Sequence, residues 1–261
     1  MKISIVTVVK NDRNNIEKTI KSVISQNHIN KEYIIVDGNS IDGTSDIIKK
    51  YSKKLKYFRQ SDKGIYDAIN KGIKKTKGDI ICLLHSGDIF SDINILEKVN
   101  ILFEKNYKIV SGNILFYEND KKLKIVRTWS KKIHSFHSKN FFLIPHTSLF
   151  IDKKVLNKIG PYSLKYKISS DIDFIIKLSK LNYRYIHLNK YLIYMKNGGI
   201  STNLNYALIK TIEDFKILYK HFKLNSFLVY FKKIFSKTPG LIIKNEAILQ
   251  KIVKNRLKKI S

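Results

Sequence analysis

The sequence predicts an α/β fold whose strands and helices alternate through residues 1–90, followed by a less regular second half and a helical tail. Three observations carry this. Short β-branched runs alternate with segments whose apolar residues recur at helical spacing. Each early strand runs into a polar turn rich in Gly, Asn, Ser and Asp. From about Leu204 onward the pattern becomes helical, Lys-rich and aromatic.

The elements follow in order. Ile3 to Val9 is a β-branched strand. Asn14 to Ser25 places Ile16, Ile20, Val23 and Ile24 on one helical face. Tyr33 to Asp37 is a second buried strand that ends in an acid, and Gly38 to Thr44 is a turn. Thr44 or Ser45 can cap a helix over Asp46 to Ser52. Leu55 to Phe58 is a third strand. Tyr66 to Lys75 is a helix with Ile65, Ile69 and Ile73 on one side. Asp79 to Leu84 is a fourth strand that holds the sole cysteine, Cys82, as a buried thiol.

Such alternation implies parallel βαβ units in a sheet covered on both faces. Ligands then sit outside the carboxyl ends of the strands. Those ends are Lys10-Asn11-Asp12, Asp37, Gln60 to Gly64, and His85-Ser86-Gly87-Asp88. Polar and acidic groups recur at one rim, which is a candidate site on fold logic alone.

In the second half, Lys108 to Ser111, Ile114 to Tyr117 and Leu123 to Thr128 read as strands, with Asn119-Asp120 as a hairpin turn. Pro145 to Ile151 is a loop entering a strand. Lys153 to Ile159 is a helix stopped by Gly160-Pro161. Asp171 to Leu181 is a helix, Tyr183 to Met195 is strand-like, and Asn197-Gly198-Gly199 is a turn. Tyr206 to Phe222 and Phe227 to Phe235 are basic, aromatic helices, and Pro239-Gly240 divides the tail.

The 261 residues carry 50 Lys+Arg against 21 Asp+Glu, a net charge of +29. Such a field attracts nucleotides, nucleic acids and anionic lipids. The composition is also rich in Ile and Asn, and only Arg13, Arg59, Arg127, Arg184 and Arg256 are arginines, so a drift toward Lys, Ile and Asn explains the charge equally well. A nucleic-acid reader carries more Arg, because the guanidinium fork suits phosphates and guanine edges. No nucleic-acid-binding motif is present, and the acids cluster where a phosphate backbone would be repelled. One cysteine excludes a disulfide framework within the chain. The opening MKISIVTVVKNDRN is too short in its apolar stretch for a signal peptide, and no apolar run reaches a membrane span. The expectation is a cytoplasmic protein, or one resting at the inner face of the plasma membrane through its basic tail.

Acids at three places in the chain have residue types and positions suited to chemistry. Asp88 follows a buried strand, and Gly87 lets the backbone approach a bulky group. A hard Mg²⁺ or Mn²⁺ ion prefers such a carboxylate. Asp37 can accept from the N–H of a base. Asp171 or Asp173, at a helix start, can take a proton as general base. On spacing alone each has a plain alternative: a capped turn, a turn-initiating Asp, and a charge answering the helix dipole.

Long segments in order add to this reading. VTVVKNDRNNIEKTIKSVISQ, YIIVDGNSIDGTSDII, SDKGIYDAINKGIKKTKGDIICLLHSGDIF, PHTSLFIDKKVLNKIGPYSLKYKISSDIDFIIKL and the later GGIST resemble family 2 glycosyltransferases of the GT-A fold. The resemblance covers roughly residues 1 to 203. It implies a Rossmann-like nucleotide-binding half (1–90) with a mixed central sheet and an acceptor-binding half (91–203), leaving 204–261 as a basic helical C-terminal extension. Thr7 and Asp37 are then nucleobase contacts. Asp62 and Lys63 touch the base or the diphosphate, with Asn70 in the same block, and His146 lies near the sugar. Asp88 matches the last acid of the DXD motif and holds the divalent metal. Asp171 matches the general base, with Asp173 beside it.

There are departures. Ser86-Gly87-Asp88 has one acid where adjacent acids are common, and Ser170-Asp171 stands where Glu-Asp is common. The expected activity is inverting transfer from a UDP- or dTDP-sugar to a glycan or lipid-linked acceptor, in cell-surface polysaccharide synthesis. A catalytically inactive relative that binds partners is the alternative raised by the reduced metal motif.

Overall fold

The computed structural model describes residues 1–119, 123–129, 144–198, 206–237 and 246–260. Its first strand, β1 (Ile3–Val9), is buried along its whole length, because it is covered on both faces. It pairs in parallel with β2 (Lys31–Asp37) on one side and β4 (Ile80–Leu83) on the other, and β2 pairs in parallel with β3 (Lys56–Arg59). Helices α1 (Arg13–Ile24), α2 (Thr44–Lys49) and α3 (Ile65–Lys74) make the crossovers. These elements follow the expected order, with ends shifted by one to three residues, as helix and strand termini do.

Beyond β4 the sheet is mixed. Strand β5 (Ile89–Phe90) and helix α4 (Ile95–Glu104) come next, and neither stood out in the sequence. Strands β6 (Ile109–Asn119), β7 (Leu123–Trp129), β8 (Phe150–Asp152) and β9 (Tyr185–Lys196) complete a nine-stranded sheet of order β3-β2-β1-β4-β8-β6-β9-β5, with β7 also on β6. Strand β8 runs antiparallel to both β4 and β6 and is the seam between the halves. The two predicted strands over Lys108–Ser111 and Ile114–Tyr117 are one element, β6, whose register against β9 shifts around Asn113. The Gly112-Asn113 pair read as a break and is an irregularity within a strand. Asp120 of the expected turn, the GGIST segment beyond Gly198 and Pro239-Gly240 lie outside the described residues.

The sheet has a core on each face. Val6, Val8, Ile34 and Val36 point to one face, under α3, α5 (Lys153–Ile159), α6 (Ser170–Ser179) and α7 (Ala207–Phe222). Ile3, Ile5, Tyr33, Ile35 and Cys82 point to the other, under α1, α2 and α4. Alternation along a strand sends neighbours to opposite faces, so a continuous apolar run feeds both cores.

The tail returns to the domain in two places. Helix α7 lies on α6, and α8 (Ser226–Lys237) folds back on α7 after a left-handed residue, Lys223. Helix α9 (Glu246–Ile260) reaches α1 and β7, where the Arg256 guanidinium donates to the Phe90 carbonyl at 3.0 Å and to Ser25 Oγ at 3.3 Å. Among the described residues no helix is long and apolar enough to cross a membrane.

Candidate active site

A cavity of about 440 Å³ opens at the carboxyl ends of β1 and β4, where fold logic puts a ligand. The chain leaving β1 supplies Lys10, Asn11 and Asp12, with Asn11 in the left-handed region (φ 51°). The chain leaving β4 supplies His85, Ser86 and Asp88. Gly87 turns this segment at φ 91°, a conformation that suits glycine. The turn is held from below: Gly87 N donates to Thr19 Oγ1 at 2.9 Å, and Tyr117 Oη donates to the Gly87 carbonyl at 3.2 Å.

This turn fixes Asp88, which is 2% exposed. Its Oδ1 accepts from Lys196 N at 3.2 Å. Its Oδ2 is buried and meets no hydrogen-bond donor among the described residues. Burial pushes this carboxyl well above the usual carboxylate range, and the Asp12 charge adds to the rise. A buried carboxylate oxygen without a partner is costly, so it marks a place where a cation belongs. No group of three or more His, Cys, Asp or Glu residues forms a closed metal cage among the described residues. The residues still fit a divalent ion of the Mg²⁺ or Mn²⁺ type, which is held by one or two carboxylates with substrate phosphates and water.

The second carboxylate on the cavity is Asp171, in the first turn of α6. Its Oδ2 lies 3.3 Å from His146 Nδ1, and its side chain keeps 22% exposure. The Tyr66 hydroxyl lies 2.6 Å from the Ile168 carbonyl and 3.1 Å from Asp171 Oδ1, shared between two acceptors. Burial would raise the Asp171 carboxyl. The hydrogen bond and charge of His146, with Lys210 and Lys233 nearby, override this and hold it well below the usual range. On the far side, His146 Nε2 stands 3.5 Å from His85 Nε2. Burial, then the His146 charge, pulls His85 down to about 3, so that ring is neutral. Lys10, Lys167, Lys196 and Lys210 also line the cavity and give it a cationic wall suited to phosphate.

Of the residues singled out from sequence, Asp88, Asp171 and His146 face this cavity together. The others lie elsewhere. Thr7 is buried beneath it, bonded to the Leu84 carbonyl at 2.6 Å and Tyr33 Oη at 3.0 Å. Asp37 is fully buried and accepts from Ser40 N (2.8 Å), Ser40 Oγ, Ser45 Oγ and Tyr57 Oη. Burial would raise its carboxyl, but those bonds keep it low. Asp62 and Lys10 both approach Gly38, and Asp62 Oδ1 accepts from Gly64 N at 2.9 Å. Lys63 is exposed, and its N donates to Asp67 Oδ2 at 2.9 Å.

Two placements correct the sequence reading. Both ends of the Asn70 amide are spent on the Tyr162 backbone, at 2.8 Å each, so Asn70 anchors a loop rather than facing the cavity. Asp173 is 1% exposed and pairs with Lys177 at 2.6 Å, Lys220 at 2.9 Å and His221 at 2.8 Å. Residues two apart on a helix point to different sides, so Asp171 faces the cavity while Asp173 ties α6 to α7.

Sequence reasoning passed over Tyr66, Lys167, Lys196 and Lys210. Only Lys196, just before the Asn197-Gly198 turn, had a nearby signal. The others reach the cavity from a helix, a loop and the tail.

The sheet is parallel through β3-β2-β1-β4, and Asp88, Asp171 and four lysines line a cavity at its strand ends, an arrangement suited to an anionic ligand. The family is glycosyl transferase family 2: its model matches residues 4–162, and the chain belongs to it. Similar proteins include an uncharacterised glycosyltransferase of Mycobacterium tuberculosis, 28% identical over 182 residues, covering 67% of this chain and 68% of that one. A PGL/p-HBAD biosynthesis glycosyltransferase of Mycobacterium bovis is 26% identical over 182 residues, covering 66% of this chain and 68% of the other. Among solved structures, S. aureus TarS 1-349 in complex with UDP-GlcNAc matches with a TM-score of 0.70 at 17% identity, over 100% of this chain and 82% of that one. The mannosyltransferase PcManGT from Pyrobaculum calidifontis, in complex with GDP-Man and Mn²⁺, matches at 0.64 and 12% identity, over 98% and 80%. The fold is GT-A with C-terminal helices, and the chain is a glycosyltransferase.

Proposed function

We propose that this enzyme moves a sugar, with inversion, from a UDP- or dTDP-sugar to a hydroxyl of a glycan or lipid-linked acceptor, in cell-surface polysaccharide synthesis at the inner face of the plasma membrane. The observation that carries the reading is that two carboxylates in opposite states face one cavity. Asp88 has an oxygen without a partner and a raised pKa, whereas Asp171 is held ionised by His146. Environments that push two acids apart assign them different work.

Asp88 would hold a divalent cation through its unpartnered oxygen, and such an ion would supply positive charge to the departing diphosphate. Lys10, Lys167, Lys196 and Lys210 take up the remaining phosphate charge. Asp171 accepts the proton of the acceptor hydroxyl as its oxygen attacks the anomeric carbon. His146 and Tyr66 hold the carboxylate in place. A strongly depressed carboxylate is a weak base in the resting site, and the hydroxyl proton becomes transferable to it as the attacking oxygen gains positive charge on bonding to the anomeric carbon. Thr7, Asp37 and Asp62, with Lys63 beside them, shape the base-binding end next to Gly38.

The TarS and PcManGT complexes support a nucleotide-sugar donor, and the PGL/p-HBAD relative supports a biosynthetic role. A thermal-shift series with UDP-, dTDP- and GDP-sugars in Mn²⁺ tests the donor. A bound donor raises Tm by mass action. UDP- or dTDP-sugars are expected to do so, and a shift from GDP-sugars alone would overturn the nucleotide assignment.

A further inference from the structure

Most large apolar side chains exposed among the described residues lie on the tail helices. On α8, Phe227 (61% exposed), Leu228, Phe231 (54%) and Ile234 fall at spacing i, i+1, i+4, i+7 and form one outward stripe. Inward, Val229 and Lys233 of the same helix are buried. On α7, Leu208, Ile212, Phe215 and Tyr219 fall at i, i+4, i+7, i+11. The two stripes join where the Phe215 and Phe227 rings meet edge-on, 4.9 Å between centroids. The result is a continuous apolar face with Leu224, 90% exposed, at its turn. Isolated exposed apolar residues need no explanation, whereas a joined patch of this kind marks an interaction surface.

The charges around the face identify the partner. Lys216, Lys223 and Lys232 are exposed beside the stripe. The acids of these two helices are turned inward. Glu213 accepts from Lys167 N, Ile168 N and Ser169 N at 2.7 to 3.0 Å, and Asp214 pairs with the buried Lys233. The face therefore presents apolar groups and cations with no exposed acid from either helix. A second copy of this +29 chain would repel it. We propose that the α7–α8 face docks on the anionic surface of a lipid bilayer, with the aromatic stripe in the headgroup region and the lysines on lipid phosphates.

This deepens the transferase reading, on which its consequence for the acceptor rests. Lys210, two residues from Leu208 and Ile212, lines the cavity from the same helix. Helix α7 thus turns one side to the active site and the other to the bilayer, which brings a lipid-carried acceptor to the mouth of the cavity.

The test is co-sedimentation of the full chain with vesicles of phosphatidylglycerol and phosphatidylcholine, against phosphatidylcholine alone. The wild type is expected to sediment with the anionic vesicles, about tenfold less with neutral ones, and less as salt rises. Phe227→Glu with Phe231→Glu should lower binding on the order of tenfold or more. Lys216→Glu with Lys232→Glu should remove the preference for anionic lipid. Donor-induced thermal shifts of both variants should match wild type, which shows that they fold. Equal vesicle binding by wild type and the Phe variant, or wild type left in the supernatant, would overturn the proposal. So would a wild-type dimer in analytical ultracentrifugation that the Phe variant breaks, since the face would then belong to a second copy. Vesicle binding without any nucleotide-sugar shift would leave the docking standing and sink the donor reading instead.

Discussion

His146 Nδ1 stands 3.3 Å from Asp171 Oδ2, and the pair faces the same cavity as the partnerless oxygen of Asp88. One carboxylate is held charged by its neighbours and the other strains to become neutral. Most of the expected behaviour of the enzyme follows from that contrast.

Asp171→Asn should lower transfer by about 10²–10⁴-fold while keeping donor-induced thermal stabilisation, because a lost general base affects proton transfer rather than binding. Rates and thermal shifts on the same sample check this. A fully active Asp171→Asn enzyme would refute the base assignment.

His146→Ala should move the acid limb of the rate profile to higher pH. The Asp171 carboxyl is depressed in the folded protein, chiefly by His146 working against burial. Its contribution to stability is therefore present above the unfolded pKa and is lost as pH falls through the lower folded value. Without His146 the folded value rises toward the unfolded one, so this acid-dependent loss of stability becomes smaller. An acid titration of Tm for both proteins would display the shallower fall, and coincident curves would count against it.

Asp88→Asn should abolish the Mn²⁺-dependent part of the thermal shift and most transfer. The sign for the protein without metal is the reverse. The raised folded pKa of Asp88 means that the native state gains stability as pH falls through it and loses stability as pH rises. The Asn variant removes a buried, half-satisfied carboxylate, so its metal-free stability above that pKa should equal or exceed wild type. Calorimetry with and without Mn²⁺ separates the two effects.

Asp173→Ala should destabilise the fold by about 1–3 kcal/mol, because Lys177, Lys220 and the buried His221 lose their shared partner; the first two keep enough solvent to moderate the cost. Transfer at a temperature where the variant is folded should stay close to wild type. Denaturant melts set beside rates distinguish this structural acid from Asp171.

Gly38→Ala should weaken donor binding more than it weakens the fold. An added methyl would meet the Asp62 carboxylate, the free end of a flexible side chain, so the chain can fold around it. Asp62 and Lys10 would have to shift at the rim proposed to receive the base. A smaller donor-induced Tm rise with a near-normal metal-free melt is the expected pattern.

Short-range pattern was enough for residues 1–88. Strands β1, β2 and β4 are rich in β-branched apolar residues, α1 and α3 show helical spacing, and the rim residues Asp12, His85 and Asp88 follow strand ends. These features depend on neighbours a few residues away, so they can be read in order along the chain. Family-specific segments then separated a glycosyltransferase from other α/β folds.

What needed the folded chain is whatever depends on distant partners. The antiparallel seam at β8 arises from three residues, Phe150–Asp152, that could pair either way until β4 and β6 flank them. Asp171 and Asp173 look alike in sequence, and only the packing of α7 on α6 turns one toward the cavity and the other into an ion cluster. Asn70 reads as a binding amide until Tyr162, 92 residues away, takes both of its bonds. Lys210 reads as one more lysine of a basic tail until α7 lays it on the cavity wall. Burial and partnership are long-range properties, and they assign work to side chains whose chemistry the local pattern leaves interchangeable.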